Sequence, residues 1–577
     1  MTTTPGGLLL VLSILVPFAG VMAGFVLGGR WTRRIALVVM AAGTVIALAI
    51  ARAYLTSGGP VVYLLGGWVP PLGVALRADA LAVAMLALVA VVVTGIGVYA
   101  WGDFATPEGS AEARAPFAFW LLLLAVWGSL NLVFVSGDLF TLYVALELLT
   151  FAGVPLVCLD GRAETLRAAL RYMLYALAGS VLYLLGAVLT FGACGTLDIA
   201  LVAQRVQPGP VTWTALTLMT VGLFAKTALF PLHLWLPPAH AGAPPAASAT
   251  LSALVVKGSF FIVVRLWFDA MPALPGPVAP QVVGGLAAAA ILFGNVIALR
   301  QERLKLLIAY STLAQIGYLF LMFPLAYDAA SGAIARVDAL AGGMMQAMSH
   351  ATAKAAMFMA AGTIYAALGH DRIGELAGAA RAVPVAVLAF AAGGLALMGV
   401  VPGGAYVAKK LLLSAADAGG QWWWDVVLTV GGMLTTGYVV LVLAQALRRD
   451  PAPRETPSPV ARLPQWAALA LAVASHLLAL AAVAGPLPAE LLTSPLAPKE
   501  LLSIVLTLAV GALAAFGIGR AVPGGTFAAL ARPLRGGLTF FGATLARVDF
   551  ALRQWTVAGV SLLALTLLMA AAMAGAR

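Results

Sequence analysis

Residues 222–261 read GLFAKTALFPLHLWLPPAHAGAPPAASATLSALVVKGSFF. Two lysines inside this apolar run, Lys226 and Lys257, decide how the chain must be read. A charge at the centre of a bilayer costs roughly 2.5–3.5 kcal/mol on insertion scales, so its presence there needs a reason. Lys354 and Lys409 sit in comparable apolar stretches, and Glu147 lies within LYVALELLTFAGVPLV (142–157). One such residue fits the frayed end of a helix. Five in one chain mark a charge-handling pathway through a membrane protein.

Composition sets the class around that stretch. Hydrophobic residues make up 62% of 577 positions and charged residues 10%, with a mean hydropathy of +1.02. Soluble domains carry about 25% charge. The fold class is therefore all-α and polytopic. Spans of the ~20 residues needed to cross fall near 7–28, 36–56, 79–101, 116–136, 139–158, 168–192, 212–231 and 244–268. Others fall near 281–299, 306–326, 338–367, 384–413, 425–447, 464–485, 501–519 and 555–575. That is about 16 transmembrane helices, without room for a soluble domain. The N-terminus lacks a basic flank and reads as the first span, not as a cleaved signal. Cys158 and Cys194 form no CxxC pair, no metal site is expected, and no nucleotide loop or other cofactor motif is present. The linker RRDPAPRETPSPVAR (448–462) is the longest polar break. The segment 521–550 is basic and partly amphipathic, suited to lying on a membrane face, and no long lateral helix is evident.

Basic residues orient the bundle. With the N-terminus outside, arginines and lysines in cytoplasmic loops outnumber those on the outer side roughly threefold, as the positive-inside rule demands. Arg300 and Lys305 fall among these loop residues. Both termini are then outside. The net charge of +11 is accounted for by loops beside an anionic leaflet, and a nucleic-acid partner is not needed.

Two spans carry helix breakers beside their charge. In the seventh, Lys226 precedes Pro231 by five residues; in the twelfth, Lys409 follows Pro402 and the Gly403-Gly404 pair. Proline removes a backbone donor, and such breaks survive only where protein or water lines the gap. Interrupted segments at matching places in two halves point to an inverted-repeat transporter. Lysine before one break and after the other fits the inversion. The chain divides accordingly into helices 1–3 (1–115), a first five-helix repeat (116–268), a second (281–447) and a C-terminal group (464–577). Lys410, beside Lys409, fits snorkelling to the interface. His350 and Lys354 share a face of the eleventh helix at i, i+4. His233 and His240 flank a Trp/Pro-rich break and suit either a water-contacting proton relay or plain packing. His370 reads as a loop residue and His476 as a satisfied buried group. A buried amine whose carboxylate partner approaches or withdraws becomes a switchable proton store. Glu147 is the one carboxylate well inside the spans, which makes it the natural partner for Lys226.

At these residues the chain resembles the antiporter-like subunits shared by respiratory complex I, Mrp-type sodium/proton antiporters (their D-type subunits above all) and membrane-bound hydrogenases. VSGDLFTLYVALELLTFAGVPLV (135–157) is similar to the family's fifth helix and places its glutamate at Glu147. FAKTALFPLHLWLPPAHAGAPPAASATLSALVVKGSFF (224–261) places its two lysines at Lys226 and Lys257. RLKLLIAYSTLAQIGY (303–318) is similar to the tenth helix. SHATAKAAMFMAAG (349–362) carries the His-x-x-x-Lys of the eleventh at His350 and Lys354, and MGVVPGGAYVAKKLLL (398–413) the terminal charge at Lys409. The chain departs from the pattern at Leu146, where an aromatic commonly stands, at Gln346, where some members have histidine, and in the sequence of the twelfth break. The resemblance implies two inverted five-helix repeats and a proton path along the midplane. Glu147 and Lys226 would switch, with Lys257 and His350 or Lys354 bridging to Lys409. It implies no cofactor and no catalytic site in this chain. Partners would be other subunits of a complex in a bacterial cytoplasmic membrane, and the ions H+ and, as a second candidate, Na+. The alternatives are a subunit of a quinone-reducing or hydrogenase complex, a non-conducting scaffold, or a coupler of the proton gradient to a carbon-dioxide-hydrating partner.

Overall fold

The computed structural model describes residues 2–107, 110, 112–400, 403–449, 460–483, 497–518 and 526–575. It is a helical bundle with one two-stranded hairpin, β1 (Val61–Leu64) against β2 (Ala75–Ala78). The major helices in chain order are α1 (Leu8–Leu27), α2 (Trp31–Ser57), α3 (Ala80–Asp103), α4 (Arg114–Val135), α5 (Leu139–Val157) and α6 (Ala163–Cys194). They continue with α7 (Pro210–Thr227), α8 (Pro245–Ala270), α9 (Val278–Leu299), α10 (Leu304–Ala326), α11 (Val337–Leu368), α12 (Pro384–Leu397) and α13 (Gly404–Ala418). The last five are α14 (Trp422–Ala446), α15 (Arg462–Val483), α16 (Pro498–Ile518), α17 (Thr526–Leu552) and α18 (Trp555–Ala574).

Thirteen of the described helices are long and apolar enough to cross a membrane. The expected seventh, twelfth and fifteenth spans are not among them. The twelfth is divided: α12 stops at Leu397 and α13 starts at Gly404, while Val401 and Pro402, on which that break was read, lie outside the described residues. The seventh ends early, as α7 stops at Thr227 and Ala228 takes a φ of 60°. A left-handed alanine costs about 1–2 kcal/mol, so this is a sharp and enforced stop.

Caps fix the helix ends that carry function. Asp138 is extended and accepts from Thr141 N at 2.8 Å, starting α5 nine residues before Glu147. Asp79 accepts from Ala82 N at 3.0 Å and starts α3. Gly195 and Gly369, at φ 66° and 77°, end the two 32-residue helices α6 and α11, where an L side chain would strain the turn.

The chain divides into two compact units. One holds Met1–Thr227, Gly242–Ala279 and Leu562–Arg577; the other holds Ala228–Ala241 and Pro280–Ser561. In the first, α6 and α7 meet through small residues. A Cβ at Gly222 would collide with the carbonyl of Gly179, so the two backbones touch, as small-residue interfaces in membranes allow. The same unit packs the end of α18 on α7, where Thr217 Oγ1 lies 3.3 Å from Met573 Sδ. In the second, a Cβ at Gly294 would meet the backbone of Ala314, which brings α9 equally close to α10.

One helix departs from the sequence reading. The partly amphipathic segment is continuous over 27 residues as α17, about 40 Å at 1.5 Å per residue, and is not among the candidate spans. Phe540, Phe541 and Phe550 on it are exposed while Asp549 is buried. The segment thus forms one long helix, a length that its mixed basic and aromatic composition hides.

Candidate functional site

In the first unit, α7 delivers Lys226 to α5. Its Nζ lies 3.1 Å from Glu147 Oε1, 2.8 Å from Thr150 Oγ1 and 3.5 Å from the carbonyl of Leu146. The side chains are 6% and 15% exposed, so the pair is held inside protein. Glu147 also accepts from the Ser180 hydroxyl of α6. The close approach of α6 and α7 serves this geometry, since the space beside Gly179 is occupied by Lys226 Cγ at 3.4 Å from where a Cβ would stand. Leu146, where the resembled family commonly has an aromatic, contributes its backbone oxygen to the ammonium. Lys257 is fully buried in α8 and donates to the carbonyl of Ser252 at 2.8 Å. Ser252 belongs to a π-helical turn, Leu251–Val255. Widened turns of this kind free carbonyls for other donors and gather at functional sites.

The second unit holds the rest. Lys354 is fully buried in α11, donating to the Ser311 hydroxyl and to the carbonyl of Ile308 at 3.3 Å on α10. His350, one turn earlier, is buried too. Lys409, on α13, lines a cavity of about 20 Å³ with Tyr318, Gln346 and Gly399; Lys410 lies over the Tyr406 ring at 5.7 Å. Gln346, where some members of the resembled family have histidine, donates to Gln315 Oε1 at 2.8 Å. His370 sits in a loop near Glu375, and His476 bonds the carbonyl of Ala392 through Nε2 at 3.0 Å.

Of the two histidines at the seventh break, His240 stacks on Phe358 at 4.8 Å, and both its nitrogens are buried without a hydrogen bond among the described residues. It lies within electrostatic range of Lys305 and Lys354. Lys305 is buried at the start of α10, as is Arg300 in the turn before it. His233 is fully buried, with Nε2 3.1 Å from Asp549 Oδ1. Asp549 in turn accepts from Tyr310 at 2.7 Å and from Arg553 Nε at 2.8 Å. Burial pushes the Asp549 carboxyl up, but the His233 and Tyr310 bonds and the Arg553 charge hold it below the usual carboxylate range. Sequence reasoning missed Asp549 altogether: it lies 316 residues from His233, in a helix whose apolar and basic residues draw the eye.

In the hairpin-bearing unit, Arg265 makes two bonds to Asp79, at 2.7 and 2.6 Å, and one to Asp269 at 2.6 Å. Burial raises the Asp79 carboxyl, and Arg265 more than offsets it, leaving the group below its usual range.

Residues 136–435 match the family described as NADH:quinone oxidoreductase/Mrp antiporter, transmembrane. Over 442 residues the chain is 35% identical to NADH-quinone oxidoreductase subunit N of Desulforudis audaxviator, covering 76% of this chain and 83% of that protein. It is 28% identical over 411 residues to the D-type subunit of the Na(+)/H(+) antiporter of Alkalihalophilus pseudofirmus, covering 70% and 79%. Among solved structures, a chain of the Mrp complex from a Dietzia species superposes with a TM-score of 0.74 at 22% identity, over 92% of this chain and 99% of that one. A chain of an archaeal membrane-bound sulfane sulfur reductase superposes at 0.72 and 22% identity, over 86% and 97%. These two likenesses are of fold.

Proposed function

The chain belongs to the NADH:quinone oxidoreductase/Mrp antiporter transmembrane family, and from that premise we propose that Glu147 and Lys226 form its proton switch. It is an antiporter-like membrane subunit, and its relatives are subunits of multisubunit membrane complexes. One observation carries the assignment: a largely buried carboxylate meets a buried ammonium at 3.1 Å, across two helices. With Glu147 against it, Lys226 is stabilised as the ammonium. With Glu147 turned away, a buried cation has no counter-charge, and its proton leaves. Lys257, His350 or Lys354, and Lys409 pass that change on, each a buried or half-buried base able to hold a proton in turn. His233 and His240 serve the seventh break as relays. The partners are neighbouring subunits and lipid in a bacterial cytoplasmic membrane, with both termini outside. The ions are H+ and, in an antiporter assembly, Na+. The four-part division into helices 1–3, two inverted five-helix repeats and a C-terminal group supplies the symmetry of this scheme.

The test is proton/cation exchange in inverted vesicles carrying the whole complex, comparing wild type with Lys226→Ala and Glu147→Gln. Loss of the pH response in both, with the complex assembled, is expected. A general acid–base group contributes about 10²–10⁴-fold, so residual activity of a few per cent or less fits. Wild-type exchange in both variants would leave the subunit as a scaffold.

A further inference from the structure

We propose that a chain of hydroxyl groups, Ser311–Tyr438–Thr435–Tyr318, carries protons between Lys354 and the cavity at Lys409. The inference deepens the function proposed above and rests on it. None of these four residues stood out in the sequence.

The chain is assembled from two helices of one unit, α10 and α14. Ser311 on α10 accepts from Lys354 Nζ and donates to the carbonyl of Ile308 at 2.8 Å. The Tyr438 hydroxyl on α14 faces the side chains of Ser311, Thr435 and Gln315, with its ring 6.0 Å from Lys354 Nζ. One helical turn back, Thr435 donates to Asn295 Oδ1 at 3.2 Å and faces the Tyr318 hydroxyl. Tyr318 lines the 20 Å³ cavity with Lys409. That volume holds about one water, enough to join the last hydroxyl to the amine.

Two features separate this arrangement from ordinary packing. Buried tyrosine hydroxyls almost always complete a hydrogen bond, yet those of Tyr438 and Tyr318 complete none among the described residues, and neither does the Gln315 amide nitrogen. Three such groups on α10 and α14 are free of a fixed bond and able to reorient. Second, the backbone makes room for it. A Cβ at Gly431 would collide with the Tyr318 hydroxyl, and one at Gly432 would stand 3.7 Å from Lys409 Nζ. Gly431 thus clears the space that the Tyr318 hydroxyl occupies, and Lys409 lies beside it.

Transfer is a relay. The Lys354 ammonium gives a proton to the Ser311 oxygen, which releases its own toward Tyr438, and so on through Thr435 and Tyr318 to the Lys409 amine. Each oxygen gains one proton and loses one, so no tyrosinate forms. The hydroxyls then rotate back.

Tyr438→Phe and Tyr318→Phe remove single oxygens and keep the rings. In vesicles carrying the whole complex, each is expected to lower exchange by about tenfold or more, with assembly unchanged on native gels. Gly431→Ala should do the same without removing any polar group. If a Phe variant fails to assemble, Thr435→Val breaks the chain at another link and decides. Wild-type exchange in Tyr438→Phe, Tyr318→Phe and Thr435→Val, with Lys354→Ala inactive, would overturn the relay and leave the proposed function standing. Wild-type exchange in Glu147→Gln and Lys226→Ala would instead overturn the function itself.

Discussion

At the scale of residues, the buried charges and the Glu147 partner of Lys226 were legible, and the rest of their company was not. Lys226, Lys257 and Lys354 announce themselves because hydrophobic neighbours on both sides leave a lysine nowhere to go. Their partners are Thr150, a π-turn carbonyl and Ser311, groups that every membrane helix contains. Asp549 was invisible for a different reason: a lone aspartate in a basic, aromatic segment looks like surface until His233, Tyr310 and Arg553 converge on it. Asp79 allows a test by pH. Its carboxyl is held low in the folded state by Arg265, so its contribution to stability is complete above the unfolded value near 3.9 and disappears as pH falls through the folded value. Thermal unfolding of the purified protein should show a Tm that falls below about pH 4, and Asp79→Asn should flatten that acid limb while lowering Tm at neutral pH. An unchanged acid limb in the variant would remove Asp79–Arg265 from the account.

At the scale of elements, proline signalled the seventh break correctly, but the stop itself falls three residues earlier, on Ala228. No propensity rule selects alanine for a left-handed position; tertiary packing imposes it. Ala228→Gly should therefore leave stability equal or raise it, by about 1 kcal/mol or less once glycine's extra chain entropy is counted. Ala228→Val should cost about 2 kcal/mol. Paired melting curves in detergent check this, and a glycine variant less stable than the valine one would refute the strain. The π-turns of α8, Leu251–Val255 and Arg265–Ala270, were unreadable, because LSALV and RLWFDA carry the same apolar pattern an α-helix would. The length of α17 escaped notice because a basic, partly amphipathic segment has no continuous apolar run to count.

At the scale of the whole molecule, class and family were legible from composition and five motifs, since a bilayer leaves helices few alternatives. Where the last helix packs was not: the unit begun by Met1 also contains Leu562–Arg577, with Met573 against Thr217 on α7. Biogenesis inherits a constraint from this. The half that leaves the ribosome first cannot close until the last helix has been made, so during synthesis the flank of α7 that α18 covers stays open to lipid or to an insertase. Ending translation after Arg553 should consequently expose the earliest-made part of the protein, and protease cleavage within residues 195–209 should quicken several-fold relative to full length. Equal cleavage of the two would show that the amino-terminal half closes on its own. A late stop codon in this chain would then injure the beginning as much as the end.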